Sequence, residues 1–227
     1  MSTTVATTPR GGRVLTLPGV YAPQHDTFLL ADALRREGLC PGRDLLDIGT
    51  GSGALALHAA RMGARVTAVD ITRRAVLTAR LNALLAGRRI TVHRGDLAGP
   101  VGGRRYDVVV SNPPYVPAPS AALPRTGAAR AWDAGRDGRA VVDRICAAAP
   151  SLLRPDGVLL MVHSGLCDAD RTLERLSDAG MRAAVTDRAL VPFGPVLRSR
   201  LEWLRSRGLI AQDTDTEELV VIRAERA

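Results

Sequence analysis

Apolar and polar positions alternate along the chain in two periods, and the changes of period mark out repeated strand–helix units. Asp44–Ile48 (DLLDI) is a short apolar run followed by glycines, which predicts a buried strand. From about Ala54 to Met62 the residues are apolar on most faces of a helix. Arg65–Asp70 (RVTAVD) is a β-branched strand ending on an acid. Thr72 can cap the next helix, with apolar positions at Ala75, Val76, Ala79 and Leu84. Ile90–Arg94 and Tyr106–Ser111 (YDVVVS) predict two further strands, and Arg139 to about Leu153 a helix. Pro155-Asp156-Gly157 predicts a turn into the strand Val158–His163. Asp168–Ala179 reads as helical, Ala183–Leu190 as extended and Leu219–Arg223 (LVVIR) as the last strand. Such alternation predicts an α/β fold built on a doubly wound, mostly parallel sheet.

At 227 residues the chain is long enough for one such domain with a sizeable core. We expect it over residues 13–227, behind a Thr-rich, disordered tail at residues 1–12 that lacks the apolar stretch of a secretory signal. The Pro/Ala stretch from Pro117 to Arg130 is too long for a simple turn, and loops of that length are usually functional or mobile. Charges or glycines interrupt every apolar run before it reaches the roughly 20 residues of a membrane span. Cys40, Cys146 and Cys167 are widely spaced and form no CxxC pair, so we expect small buried side chains in a cytoplasmic protein, with no zinc site. The formal net charge of +8 raises nucleic acid as a partner. All 31 basic residues are arginine, however, and they are scattered along the chain, which compositional bias explains as readily as a basic surface does.

The candidate chemistry sits at the strand ends. Asp47-Ile48-Gly49-Thr50-Gly51-Ser52-Gly53 closes the first strand and opens a helix. Glycines there allow a tight turn and a close approach to a ligand, and the helix N-terminus offers free N–H donors. A dinucleotide site more often reads GxGxxG. The spacing here, with Asp47 two positions before Gly49, suits a ligand whose ammonium group lies over that acid. Asp70 can accept both hydroxyls of a ribose, which supports a nucleoside without choosing one. Asp96 can take an adenine amino group while Leu97 or Ile71 packs on the ring, although an acid after glycine is also common in plain turns.

Ser111-Asn112-Pro113-Pro114-Tyr115 follows the fourth strand. Consecutive prolines fix the backbone and remove two donors, leaving carbonyls aimed outward. The side-chain oxygen of Asn112 and the carbonyl of Pro113 can then each accept one hydrogen of a substrate NH₂, aiming the nitrogen lone pair at an electrophile. Tyr115 supplies a flat face for an amide or a base. Asn112, Pro113 and Tyr115 are the catalytic candidates, with Pro114 beside them at the substrate.

Together these segments resemble class I S-adenosylmethionine-dependent methyltransferases that methylate amino nitrogens. Tyr21-Ala22-Pro23-Gln24-His25-Asp26-Thr27-Phe28-Leu29-Leu30 is similar to the Tyr-x-Pro-x-Glu-Asp-Thr segment of HemK-like enzymes, which modify a glutamine of translation release factors. Ala131–Arg139 (AWDAGRDGR) resembles the Trp-x-Gly-Gly-x-Asp-Gly segment thought to wall the active site of that family. The resemblance implies a Rossmann-like, seven-stranded sheet with an antiparallel last strand. It implies S-adenosylmethionine as cofactor, Thr27 and Asn112 among its contacts, Trp132 at the substrate, a protein glutamine amide as acceptor and no metal. Adenine methyltransferases share Asn-Pro-Pro-Tyr but usually not the two flanking segments, so DNA or RNA is the alternative substrate. A small-molecule amine, or a cofactor-binding protein without activity, also stays open.

Three departures from the family pattern stand out. His25 replaces the usual Glu. We expect no counterpart of the family's helical N-terminal docking domain, as in the short branch of archaea and eukaryotes that works with a small zinc-binding partner protein. Val191–Asp215 is an insert carrying a basic stretch, Leu197–Arg207 (LRSRLEWLRSR), read here as an amphipathic surface helix packed by Leu197, Leu201 and Leu204.

Overall fold

The computed structural model describes residues 3–7, 13–39 and 41–226, so the expectation for Cys40 lies outside it, whereas Cys146 and Cys167 are buried free thiols. The chain opens with an antiparallel hairpin of β1 (Thr4–Thr7) and β2 (Arg13–Thr16). For Thr4–Thr7 this corrects the expected disordered tail; residues 8–12 lie outside the described residues. Thr4–Thr7 find ladder partners in β2, and Val14 turns inward against Leu57 and Ala83. β-branched residues favour a strand once a partner row of hydrogen bonds exists. Asn82 secures the hairpin: it accepts from Leu15 N and donates to Leu15 O, both at 2.8 Å, and donates to Ser52 O at 2.9 Å.

Next comes α1 (His25–Arg36), a helix not predicted above. It is followed by β3 (Asp44–Ile48), α2 (Ala54–Arg61), β4 (Arg65–Asp70), α3 (Arg73–Leu85), β5 (Ile90–Arg94) and β6 (Tyr106–Ser111), where the apolar pattern predicts them. Thr72 caps α3 as expected, its hydroxyl accepting from Ala75 N at 3.1 Å. The second half comprises α4 (Val142–Leu152), β7 (Leu153–Ser164), α5 (Ala169–Asp178) and β8 (Met181–Pro192), then α6 (Pro195–Arg198), α7 (Leu201–Ser206) and β9 (Thr216–Arg226).

Three details depart from expectation. α4 starts at Val142 rather than Arg139, because Gly138 has φ +72° and the Arg139 side chain turns into the interior. Pro155-Asp156-Gly157 is not a turn ahead of the strand but lies within β7, with Asp156 at φ 59° and a register shift against β6. The basic stretch Leu197–Arg207 is two short helices, not one, and its first two expected insert residues, Val191 and Pro192, belong to β8.

The seven-stranded sheet has the order β5-β4-β3-β6-β7-β9-β8, and only β9 is antiparallel to its neighbours. Successive residues of β3 point into two cores. Leu45 joins Leu30, Leu34 and Leu55 on one face, whereas Leu46 and Ile48 join Ile145, Ala149 and Leu176 on the other. Helices cover both faces, which is why the strands read as continuous apolar runs. The chain reverses its direction of travel across the sheet between β3 and β6, and such switch points leave a crevice at the strands' carboxyl ends. There Ile48 pairs with Ser111, whose hydroxyl donates to Ile48 O at 2.8 Å. Gly49 and Asn112 therefore leave the sheet side by side. Leu77, Leu84 and Leu85 stay exposed on α3. Among the described residues no helix is long and apolar enough to cross a membrane.

Candidate active site

A cavity of about 470 Å³ opens at this switch point, and every sequence-predicted site residue except Asp47 and Gly53 lines it. Its two ends are built differently. At the first end, Gly49, Gly51 and Gly53 all have positive φ (73°, 55° and 82°), the region where a side chain is strained. Gly53 serves packing rather than ligand contact, since a Cβ there would stand 3.1 Å from Ala79 of α3. Asp47 lies behind the glycine turn, buried, with Oδ2 accepting from the Thr50 hydroxyl at 2.6 Å and Oδ1 unpartnered. Burial pushes its pKa up to about 7, with the Thr50 hydrogen bond opposing the shift. A cation held over the glycines would favour its charged form.

Asp70 accepts from Gly51 N at 3.0 Å on one oxygen and from Thr72 N at 2.8 Å on the other. These bonds orient the carboxylate, and a carboxylate's roughly four lone-pair sites leave it able to take further hydroxyl donors. Ile71 and Leu97 offer apolar surface on either side of this end, Leu97 from a left-handed backbone at φ 46°. Asp96 lines the cavity beside them. Its carboxylate is half-exposed and gripped by Arg144 at 2.6 and 3.2 Å, so an adenine amino group would have to share it.

The opposite end gathers residues far apart in sequence. Asn112 donates through Nδ2 to Thr27 Oγ1 at 3.5 Å, and Thr27 Oγ1 donates to Asp26 Oδ1 at 3.2 Å. Asp26, buried, also accepts from Thr27 N at 2.6 Å, Tyr21 OH at 2.7 Å and Tyr115 OH at 3.0 Å. Burial first, and the Asp26 charge second, push both tyrosine hydroxyls well above their ordinary range, so they remain donors. Thr27 was expected at the cofactor. It lines the cavity, and its visible partners are Asn112 and Asp26. His25 is exposed at the start of α1 and absent from the wall, so this departure from the family pattern does not alter the cavity.

The segment carrying Trp132 docks against the chain beyond Tyr115. Val116 N donates to Trp132 O at 2.8 Å and Ala134 N to Val116 O at 3.1 Å. Gly138 is needed here, because a Cβ would meet Tyr115 O at 2.3 Å and Cys167 Sγ at 2.7 Å. Arg139, the largest fully buried side chain, donates to Asp143, Thr172 and the carbonyls of Cys167 and Asp168, locking this segment to α5. The insert supplies the remaining wall through Gly194, Pro195, Val196 and Leu197. Leu197 and Leu204 are buried as anticipated, but the segment roofs the cavity instead of lying only on the surface. Arg200 fastens it, donating to Asp133 at 2.6 Å and to Pro117 O at 2.9 Å.

Sequence reasoning did not single out Asp26, Arg200 and Glu217 for the site. Asp26 stood within the quoted Tyr21–Leu30 segment, but nothing local announced the other two.

A glycine turn at a switch point, an oriented carboxylate at the next strand end and an unmet buried acid beneath the turn fit S-adenosylmethionine, and with the fold they define a class I S-adenosylmethionine-dependent methyltransferase. The methyltransferase small domain family matches residues 11–123. A Methanocaldococcus jannaschii protein provisionally named protein N5-glutamine methyltransferase is 33% identical over 177 residues, 78% of this chain and 88% of that protein. The release factor glutamine methyltransferase of Geobacter sulfurreducens is 38% identical over 175 residues, and the chain spans only 59% of its length. Among solved structures, the E. cuniculi Mtq2-Trm112 complex responsible for methylating the eRF1 termination factor matches with a TM-score of 0.62 at 25% identity, covering 92% of this chain and 99% of that one. The chain belongs to the HemK-like family of methyltransferases.

Proposed function

We propose that the protein methylates the side-chain amide nitrogen of a glutamine in a protein, with a translation release factor as substrate. The observation that carries this reading is the placement of Asn112 on the cavity wall beside Thr27. Its NH₂ side is turned to Thr27, which leaves Oδ1 to accept one hydrogen of a substrate amide while the Pro113 carbonyl accepts the other. Both bonds strengthen as the nitrogen gains positive charge, which lowers the barrier. When bound, S-adenosylmethionine supplies the electrophilic methyl group. Asp70 and the Gly49–Gly53 turn hold one reactant, Asn112–Tyr115 the other, and bringing the two into line is worth up to about 7–11 kcal/mol. The related proteins of M. jannaschii and G. sulfurreducens support glutamine as the acceptor.

A Gly-Gly-Gln loop suits the cavity, because two glycines let an extended backbone enter a walled slot with one amide protruding. Docking falls to the Pro117–Arg130 loop, the insert or a separate small protein. The E. cuniculi complex supports such a partner, and the exposed leucines of α3 give it apolar surface. A release-factor substrate places the protein in the cytoplasm. The test is methyl transfer from labelled cofactor to release factor, tRNA, rRNA and DNA in parallel. Label on release factor alone is the expected result, and label on nucleic acid alone overturns the reading.

A further inference from the structure

Two carboxylates stand at the substrate end of the cavity, and their surroundings are opposite. Asp26 is saturated, with four hydrogen bonds arriving from Tyr21, Tyr115 and Thr27. It holds the wall together and has little capacity left for anything else. Glu217, the second residue of β9, lines the same cavity, and its Oε2 is buried without a hydrogen-bond partner. A buried bare acceptor costs about 1–3 kcal/mol, which is hard to understand in a purely structural residue.

We propose that Glu217 accepts the proton that the substrate nitrogen sheds as it is methylated, an inference that deepens the glutamine reading above. The nitrogen lone pair forms the new N–C bond, and the C–S bonding pair departs with sulfur, turning the sulfonium into a thioether. The N–H bonding pair stays on nitrogen and restores conjugation with the amide carbonyl. One of the two N–H protons leaves its hydrogen bond with Asn112 or the Pro113 carbonyl, passes to Glu217 Oε2 and then goes to solvent. Without an acceptor, the methylated nitrogen would have to persist as a cationic, unconjugated amide.

The surroundings leave Glu217 suited to this. Burial pushes its pKa up to about 7; a hydrogen bond with Ser164 of β7 opposes the shift, and the charge of Asp26 on α1 adds to it. Tyr21, Tyr115 and Cys167 are the other titratable groups that feel its charge. From β8 it faces Val191, its register partner. None of these is a cation that would hold the carboxylate permanently ionised. The accepting form therefore predominates above about pH 7 and is lost below it.

The test is kcat for methylation of release factor between about pH 5.5 and 9, at saturating cofactor and substrate. Wild-type kcat should rise about tenfold per pH unit below about 7 and then level off. Glu217→Gln should abolish this limb and lower the plateau by about a hundredfold, with unchanged cofactor affinity showing that the variant is folded. Glu217→Asp should keep a limb. Independently of turnover, carbon NMR of labelled glutamate should show one carboxyl titrating near pH 7 that is missing from Glu217→Gln. A Glu217→Gln variant with wild-type plateau and limb, or a wild-type protein without that titration, overturns the proposal. If adenine is methylated and glutamine is not, the glutamine reading falls. The limb is then measured on adenine, where its loss in Glu217→Gln still supports Glu217 as acceptor and its survival overturns it.

Discussion

The end of the cavity proposed for the cofactor is made from backbone conformation, and the end proposed for the substrate from long-range side-chain bonds. At the first, Asp70 ends a parallel strand and Gly49, Gly51 and Leu97 lie just past the ends of its neighbours, and positive φ at the glycines shapes the turn. At the second, five segments meet: Tyr21–Thr27, Ser111–Tyr115, the stretch around Trp132, the insert from Gly194 and the start of β9. Tyr115 to Asp26 and Asn112 to Thr27 join the first two, and Arg200 to Asp133 joins the insert to the stretch around Trp132. A glycine turn at a switch point works in any sheet of this topology, so one fold can hold one cofactor through many sequences. A substrate slot tied by specific bonds can be rebuilt one segment at a time, and the insert is one such segment.

Substitutions at the two ends should therefore fail in different ways. The largest expected loss is in cofactor affinity. Asp70→Ala should cost about 2–5 kcal/mol, because a charge-assisted contact leaves a desolvated site. Calorimetry with S-adenosylhomocysteine checks this, and unchanged affinity would remove Asp70 from the contact. Next in size, Asn112→Ala should lower kcat by about a hundredfold or more while cofactor affinity falls much less. Normal turnover in that variant at saturating substrate would refute the grip on the substrate NH₂.

Arg200→Ala should loosen the roof by releasing Asp133 and the Pro117 carbonyl. We expect KM for the protein substrate to rise about tenfold with kcat changed less, the pattern of lost uniform binding. Arg200→Lys should restore part of it, and steady-state kinetics on the three proteins decides. The smallest effect should come from Asp96→Ala, since its half-exposed pair with Arg144 contributes little. A change in cofactor Kd beyond about threefold would give Asp96 back the adenine contact expected from sequence.

The same division explains what could be read before the structure. β3 to β6 and the cap at Thr72 are local signals, set by apolar period, β-branching and one side-chain hydroxyl. The glycine motif and Asn-Pro-Pro-Tyr are local too, and they landed at the strand ends where a ligand must lie. The hairpin of β1 and β2 was missed because its stability comes from pairing and from Asn82, a residue of a distant helix. The basic stretch at Leu197–Arg207 has helical period, yet Arg200 breaks it by turning toward Asp133 and Pro117. Glu217 sits in a short acidic pair before an apolar strand, a pattern usually solvated. In the structure it lines the cavity instead, with its Oε2 buried there.

Mass spectrometry of release factor incubated with the protein and S-adenosylmethionine tests the central claim most directly. The account predicts one added methyl group, located on the glutamine amide of the Gly-Gly-Gln loop and absent with Asn112→Ala. A methyl group found on an adenine of added DNA or RNA, with that glutamine unmodified, would contradict it.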